Sequence, residues 1–119
     1  MDTAETGSEA MEKSRNRHYN LALLGTMLPD MRGTELLSLM DMGVPRTRAI
    51  MITGYPSLDS TIESLNLGAD GYLIKPIEPE KLLKIMEEKL REQEEEGRKY
   101  EQAERVLQTE TMLKYYEPL

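Results

Sequence analysis

Three short apolar runs, separated by stretches of helical periodicity, constrain the fold of this 119-residue chain most strongly. The runs span residues 21–24, 49–52 and 71–74, and turn residues follow each of them. Runs of four residues are too short for typical helices and are typical of strands buried on both faces in a parallel sheet. Because these runs alternate with helical segments, the pattern predicts an α/β fold with right-handed crossovers.

The predicted helices begin near Thr6, Thr34, Leu58 and Pro79. Thr6 and Glu9 have the spacing of a capping box, and Thr34 is a candidate cap for the second helix. Proline is favoured in the first turn of a helix, as Pro79 would be. The sequence therefore predicts a helix before the first strand and one after each strand.

The predicted third helix, from about residue 58 to 67, carries Leu58, Ile62 and Leu65 on one face. The fourth helix is predicted to continue beyond residue 87, where Glu, Lys, Arg and Gln dominate and form favourable pairs four residues apart. We accordingly divide the chain into a partial domain over residues 1–90 and an extended helix or linker over residues 91–119.

An imperfect heptad pattern runs along this last helix. Its apolar or small positions are Met86, Leu90, Gly97, Tyr100 and Leu107, and its interruptions are Gln93, Glu104 and Thr111. Two interpretations remain open. The pattern is either a seam for pairing with another helix or one face of a solvated helical linker.

Composition excludes several classes of function. A net charge of -7 argues against a surface that neutralises nucleic-acid phosphates. With no cysteine and one histidine, His18, the chain lacks the side chains for disulfides, thiol nucleophiles and cysteine zinc sites. No apolar run reaches the roughly 20 residues that span a bilayer, and the acidic N-terminus does not resemble a signal peptide. We expect a cytoplasmic protein with protein partners, and neither nucleic acid nor membrane among them.

Three blocks of sequence carry a family resemblance. They are Leu-Leu-Gly-Thr-Met-Leu-Pro-Asp-Met-Arg-Gly at residues 23–33, Ile-Met-Ile-Thr-Gly-Tyr at 50–55, and Gly-Ala-Asp-Gly-Tyr-Leu-Ile-Lys-Pro at 68–76. In this order and spacing they resemble the receiver domain of two-component response regulators over residues 3–90. The resemblance implies a flavodoxin-like parallel sheet that is incomplete at its N-terminus and is followed by an extended C-terminal helix.

The resemblance also implies a chemistry, in which a histidine kinase transfers a phosphoryl group to an aspartate at a strand end, assisted by magnesium on an acidic pair. By this resemblance Thr53 and Lys75, the latter followed by Pro76, occupy positions that contact the phosphoryl group. Tyr72 matches the aromatic switch residue. Gly25 stands where the family places the phosphoacceptor aspartate, and it has no nucleophile.

Further departures from the family support a degenerate receiver. Asp30 is five residues downstream of Gly25 in the loop and cannot simply replace the acceptor. The acidic pair is missing because the chain begins near the family's second strand. No magnesium ion or other cofactor is therefore expected.

The residues also allow simpler interpretations. Independently of the family, Gly25, Thr53 and Lys75 lie at the carboxyl ends of predicted parallel strands, where open α/β sheets place their sites. Yet Thr53 could cap the following helix, Lys75 could be an ordinary surface lysine, and Tyr72 could only fill the core.

Without the family's first strand, one edge of the predicted strand at residues 21–24 is open. Such an edge favours pairing with another chain. A second copy, a domain swap or a separate polypeptide could cover it, or the N-terminal segment could rearrange to do so. We expect a homodimer.

The sequence thus predicts a degenerate receiver-like domain in two-component phosphorelay signalling, acting through protein contacts without its own phosphorylation. Its expected partner is a histidine kinase or another signalling domain, and it is not expected to be an enzyme. One alternative is a helical dimerisation or relay module of a larger sensor. Another is a fragment or variant of a conventional phosphate-accepting receiver, changed from Asp to Gly at position 25.

Overall fold

The computed structural model describes residues 1–109. Within them helices and strands alternate, in the order α1 (Gly7–Asn16), β1 (Leu21–Gly25), α2 (Gly33–Leu39), β2 (Arg48–Thr53), α3 (Leu58–Asn66), β3 (Gly71–Ile74) and α4 (Pro79–Gln108). The strands form one parallel sheet in the order β1-β2-β3. The predicted α/β class and the parallel sheet are confirmed.

The core lies around the central strand β2. Ala49, Ile50 and Met51 are fully buried there, because β2 has a strand on each side. Leu24 of β1 and Leu36 and Leu37 of α2 pack with Ala49 and Met51 in the main cluster. Helix α2 thus covers one face of the sheet.

Helix α4 approaches the sheet closely at β3. A Cβ atom at Gly71 would lie 2.7 Å from Cδ1 of Ile85 and 3.5 Å from Cγ1 of Ile50. A glycine at this position therefore allows the apolar side of α4 to rest on the strand.

The burial predicted for β1 is wrong on one face. Leu24 is 7% exposed, as expected for a core residue, but Leu23 is 42% exposed. Successive side chains of a strand point to opposite faces, and β1 lies at the edge of the described sheet, so the face that carries Leu23 is incompletely covered.

Helix α3 leaves its apolar side exposed. Leu58, Ile62 and Leu65 share one face as predicted, but their exposed fractions are 75%, 47% and 54%. The buried side is polar and small, with Ser64 fully buried and its hydroxyl donating to the carbonyl of Ser60. Small side chains allow a close approach to the sheet, and the leucines then remain outside.

The predicted helix starts are confirmed at Pro79 and in part at Thr6. The Thr6 hydroxyl accepts a hydrogen bond from Glu9 N at 3.1 Å, but the Glu9 carboxylate accepts from Glu5 N and not from Thr6. The prediction for Thr34 is wrong. It is buried within the first turn of α2, whose N-terminal flanking residue, Arg32, makes no side-chain cap.

Helix α4 runs without a break across residue 90 and remains attached to the domain beyond it. Buried Gln93 donates from Nε2 to the carbonyl oxygens of Asn20 at 3.2 Å and Arg46 at 3.3 Å. Glu96 accepts from Arg46 N at 2.7 Å and pairs with Arg48 at 2.9 Å. The division of the chain at residue 90 remains a prediction.

The imperfect heptad face is partly used within the domain. Gln93 is buried, and Gly97 faces Pro45, whereas Tyr100 and Leu107 are more than half exposed. Thr111 lies outside the described residues. Among residues 1–109, no helix has both the length and the hydropathy needed to cross a membrane.

Candidate functional site

The carboxyl ends of the three strands border one open depression of about 840 Å³. Gly25 ends β1, Thr53 ends β2, and Lys75 follows β3 directly. The lining comprises Gly25, Thr26, Met27, Ile52, Thr53, Gly54, Tyr55, Lys75, Pro76 and Ile77. The three residues that the sequence placed at strand ends therefore border the same depression, while their chemical roles remain predictions.

Thr53 lies buried at the floor of this edge and links two strands. Its Oγ1 accepts hydrogen bonds from the hydroxyl of Thr26 at 2.9 Å and from Tyr55 N at 3.1 Å. Because Thr53 accepts in both bonds, its own hydroxyl proton is used in neither. The helix cap is supplied instead by Ser57, whose side chain accepts from Ser60 N, so the capping interpretation of Thr53 is wrong.

Lys75 is held by its backbone and leaves its side chain exposed. Its N–H donates to the carbonyl of Thr53 at 2.8 Å, which extends the β2–β3 ladder by one residue. The ammonium group pairs with none of the acidic side chains in residues 1–109. Pro76 follows through a cis peptide bond and is also exposed at the rim. The depression is therefore bordered by an exposed cation and by a buried hydroxyl group.

Position 25 has room for a side chain. A Cβ atom at Gly25 would lie 3.8 Å from Cδ2 of Leu28 and 4.0 Å from the carbonyl of Met27, which are ordinary van der Waals distances. The glycine is not required by crowding. The depression therefore lacks a nucleophile at this point for want of a side chain, and not for want of space.

Gly33, in contrast, is required by crowding. A Cβ atom there would lie 1.9 Å from the carbonyl oxygen of Gly25. Gly33 N also donates to the carbonyl of Thr26 at 2.8 Å, so α2 begins directly against the end of β1. This close return explains the Leu-Pro-x-x-x-Gly spacing of the loop.

Asp30 ties this loop to α1, a role that the sequence analysis missed. Its carboxylate accepts from Gly7 N at 2.8 Å, from Ser8 N at 3.0 Å and from the Ser8 hydroxyl at 2.9 Å. The two backbone hydrogen bonds hold the pKa of Asp30 below its usual range. These partners lie 22 and 23 residues away in sequence, so no local pattern indicates the contact.

Tyr72 of β3 is half-buried, and its side chain reaches α3. Its hydroxyl is 3.2 Å from Oγ of Ser60, and its ring packs against the core cluster. The contact joins the strand that leads to Lys75 with the exposed helix α3. A packing role is thus present, and the switching role remains a prediction.

The depression does not fit a divalent cation. Magnesium prefers carboxylate and other hard oxygen ligands, yet none of the Asp or Glu residues that the structure describes lines this edge. In residues 1–109, no group of three or more His, Cys, Asp or Glu side chains could hold a metal ion. His18 lies apart from the depression, with Nε2 2.7 Å from the carbonyl of Pro45.

Asp70 belongs to the opposite end of the sheet. It receives two hydrogen bonds from the guanidinium of Arg46, at 2.9 and 2.6 Å, and one from Ala49 N at 2.8 Å. Its side chain is only 11% exposed. The acidic residue of the Gly-Ala-Asp-Gly-Tyr block is thus a structural tie, and not part of the depression.

Comparison with known proteins places the chain in a family. The sequence model of the response regulator receiver domain matches residues 1–87. The transcriptional regulatory protein ZraR of Klebsiella oxytoca is 34% identical over 87 residues, 73% of this chain and 20% of that protein. The luminescence regulatory protein LuxO of Vibrio campbellii is 35% identical over 77 residues, 65% of this chain and 17% of that protein. The chain thus spans a fifth or less of these relatives.

Solved structures agree with this result. A CheY-like response regulator receiver domain protein from Methanospirillum hungatei superposes with a TM-score of 0.72 and 49% identity, covering 77% of this chain and 74% of that one. The chemotaxis protein CheY4 of Vibrio cholerae gives a TM-score of 0.66 and 30% identity, covering 73% and 74%.

Proposed function

The chain belongs to the response regulator receiver domain family of two-component systems, and from this membership we propose that it is a degenerate receiver. It would take part in phosphorelay signalling through protein contacts, without accepting a phosphoryl group itself. The observation that carries the proposal is Gly25, a residue without a nucleophile at the end of β1, in a depression that no carboxylate of residues 1–109 lines.

The remaining chemistry of the depression supports this proposal. The Lys75 ammonium and the Thr53 hydroxyl suit a phosphoryl group, since a cation and a hydrogen-bond donor both favour an anion. By the resemblance, Gly25 stands in place of the group to be phosphorylated, and no acidic side chain of residues 1–109 lines the depression. The side chains that contact the aspartyl phosphate in the family would thus remain, without the groups that form this phosphate.

Intact-mass measurement tests the proposal. We expect the protein to keep its mass after incubation with phosphoramidate and magnesium, because among residues 1–109 no aspartate lines the depression that Lys75 and Thr53 border. A phosphoryl adduct on any aspartate would contradict the proposal.

A Gly25→Asp variant tests the alternative that the chain is a conventional phosphate-accepting receiver changed from Asp to Gly at position 25. A Cβ atom at this position makes only ordinary van der Waals contacts. We expect it to remain unmodified under the same conditions, because within the described part of the chain no acidic pair lines the depression to bind magnesium. Phosphorylation of this variant would instead show that the rest of the site is intact.

The proposed partners are proteins. A histidine kinase or another signalling domain would contact the receiver surface, and a second copy would form a homodimer. The apolar face of α3 described above is exposed at Leu58, Ile62 and Leu65, so surface for such contacts exists. The cytoplasmic location, and the absence of nucleic acid among the partners, remain predictions.

A second candidate function is a helical relay, and the length of α4 favours it. The helix has 30 residues, continues beyond its last buried side chain at Gln93, and exposes Tyr100 and Leu107. Removing residues 98–119 would keep the Gln93 and Glu96 contacts. Loss of self-association in that truncated chain would support the relay, and unchanged association would contradict it.

A further inference from the structure

Helix α4 changes from attached to exposed at one point along its length. Gln93 is buried, and Glu96 accepts a hydrogen bond from Arg46 N at 2.7 Å. Gly97 is half-buried, and residues 98–109 are exposed throughout. The boundary between the attached part and the exposed part of the helix therefore lies at Gly97.

The attached side of this boundary is held firmly to the sheet. The guanidinium of Arg48, a side chain that is only 8% exposed, pairs with Glu96 at 2.9 Å. The Gln93 side chain donates to two carbonyl groups, as described above. Buried and charge-assisted hydrogen bonds of this kind are costly to break. The part of α4 that ends at Glu96 is therefore fixed to the sheet.

Packing does not require a glycine at the boundary. A Cβ atom at Gly97 would lie 3.6 Å from Cγ of Pro45, which is an ordinary van der Waals distance. At Gly71, by contrast, a Cβ atom would lie 2.7 Å from Cδ1 of Ile85, so that glycine serves a close approach. Glycine is less favourable in a helix interior than every residue except proline. Gly97 thus weakens α4 at the boundary, and close packing does not account for it.

Side chains do not bridge this weak point. Two pairs have the spacing of a favourable helical ion pair across the glycine, namely Glu94 with Arg98 and Glu95 with Lys99. The salt bridges within residues 1–109 include neither pair. The exposed part of α4 ends at Gln108. It is therefore shorter than the roughly 12 to 15 residues below which an isolated helix is marginal in water.

We infer that Gly97 is a hinge in α4. The helix up to Glu96 keeps its place on the sheet, and the part from Arg98 onward changes direction through the backbone dihedral angles of Gly97. Hinges are a few positions that absorb such changes, and they are often small residues. The inference goes beyond both proposed functions, because it states which part of α4 moves independently of the receiver domain.

Distances between spin labels, measured by pulsed electron paramagnetic resonance, test the hinge. The chain has no cysteine, so labels can be attached to introduced ones. Each label pair has Glu35→Cys on α2 as its reference, and the second label is at Glu95→Cys before the glycine or at Gln102→Cys after it. All three positions are exposed, and the last two lie two turns apart on the same side of α4. We expect a wider distance distribution for the pair with position 102.

The same label pairs in a Gly97→Ala background show whether the glycine causes the difference. Alanine favours a helix interior, and its Cβ has room at this position. We expect the distribution for position 102 to narrow to the width found for position 95. Amide exchange at residues 101–105 should also slow about fivefold, whereas Gln102→Ala should change it little.

Two results would overturn the inference. One is equal width for the two label pairs before Gly97 is changed, and the other is an unaltered width for position 102 in Gly97→Ala. Neither measurement uses a phosphoryl donor, so failure here is distinct from failure of the proposed function.

Discussion

At the amino end of the sheet, charged and amide side chains from distant segments bind one another, whereas at the carboxyl end Thr53 and Lys75 line an open depression. Asp70 accepts from Arg46 and from Ala49 N at one end, and Gln93 and Glu96 fasten α4 there. At the other end Lys75 has an exposed side chain. The amino ends of the three strands are thus held by long-range hydrogen bonds, and we call this side of the sheet the fastened end. The carboxyl ends border the depression and are available for contacts, and we call this side the open end.

Substitutions at the fastened end should therefore affect the stability of the fold, whereas substitutions of exposed residues at the open end should affect function. Breaking a buried charged hydrogen-bond network leaves polar groups without partners, which is costly. Changing an exposed side chain at the open end removes little that stabilises the fold.

The largest effect is expected at Gly33, a crowded point at the carboxyl end of the sheet. Gly33→Ala should lower the free energy of unfolding by about 3 kcal/mol or more, because its Cβ would overlap the Gly25 carbonyl. Gly25→Ala is the matched control and should change it by less than about 1 kcal/mol, since that position has ordinary contacts. Urea denaturation measures both. Equal losses of unfolding free energy in the two variants would show that crowding around the Cβ atom does not distinguish Gly33 from Gly25.

At the fastened end, Asp70→Ala should lower the free energy of unfolding by about 2 to 3 kcal/mol. It removes the acceptor of two guanidinium hydrogen bonds and leaves Ala49 N without this partner. Asp59→Ala, at an exposed position in the first turn of α3, should change it by less than about 1 kcal/mol. A loss of unfolding free energy no larger than that of Asp59→Ala would contradict the stabilising role of the Asp70 hydrogen bonds.

Gln93→Ala tests whether α4 belongs to the domain beyond residue 90. We expect a loss of about 1 to 2 kcal/mol, because the carbonyl groups of Asn20 and Arg46 lose a buried donor. Gln102→Ala, exposed on the same helix, should be nearly neutral. Thermal unfolding by circular dichroism compares them. Two neutral variants would favour a domain that ends at residue 90.

The smallest effect concerns pH. The pKa of Asp30 is lowered by its hydrogen bonds from Gly7 N and Ser8 N, so its folded-state pKa lies below its unfolded value of about 3.9. The stability that it contributes is present above that value and is lost as pH falls through the lower folded-state pKa. Below about pH 4 the melting temperature of the protein should therefore fall more steeply than that of Asp30→Asn. Parallel curves would contradict this role for Asp30.

The strands and the family were predictable from the sequence because their signals are local. Short apolar runs and the three motif blocks each lie within a dozen residues. The orientation of α3 was not predictable, since periodicity shows that Leu58 and Leu65 share a face but not which face meets the sheet. The roles of Asp30 and Gln93 were also missed, because their partners lie 22 to 73 residues away. Long-range contacts of this kind leave no periodic pattern.

Within the candidate site, the positions of Thr53 and Lys75 follow from strand ends, but the Thr26 contact does not. A hydroxyl beside Gly25 carries no distinctive spacing, and its hydrogen bond to Thr53 depends on the β1–β2 register. The closeness of Gly33 to Gly25 likewise needs the folded loop.

Native-state amide hydrogen exchange, recorded with and without phosphoramidate and magnesium, tests two statements together. The amino end of the sheet is the more stable end, and the carboxyl end does not accept a phosphoryl group. Amide exchange reports local opening residue by residue. We expect Ala49 N and Asp70 N at the fastened end to exchange only through global unfolding, and Tyr55 N at the open end to exchange faster, with no change on adding the donor. Equal protection at the two ends, or slower exchange near Thr53 after the donor is added, would contradict the account.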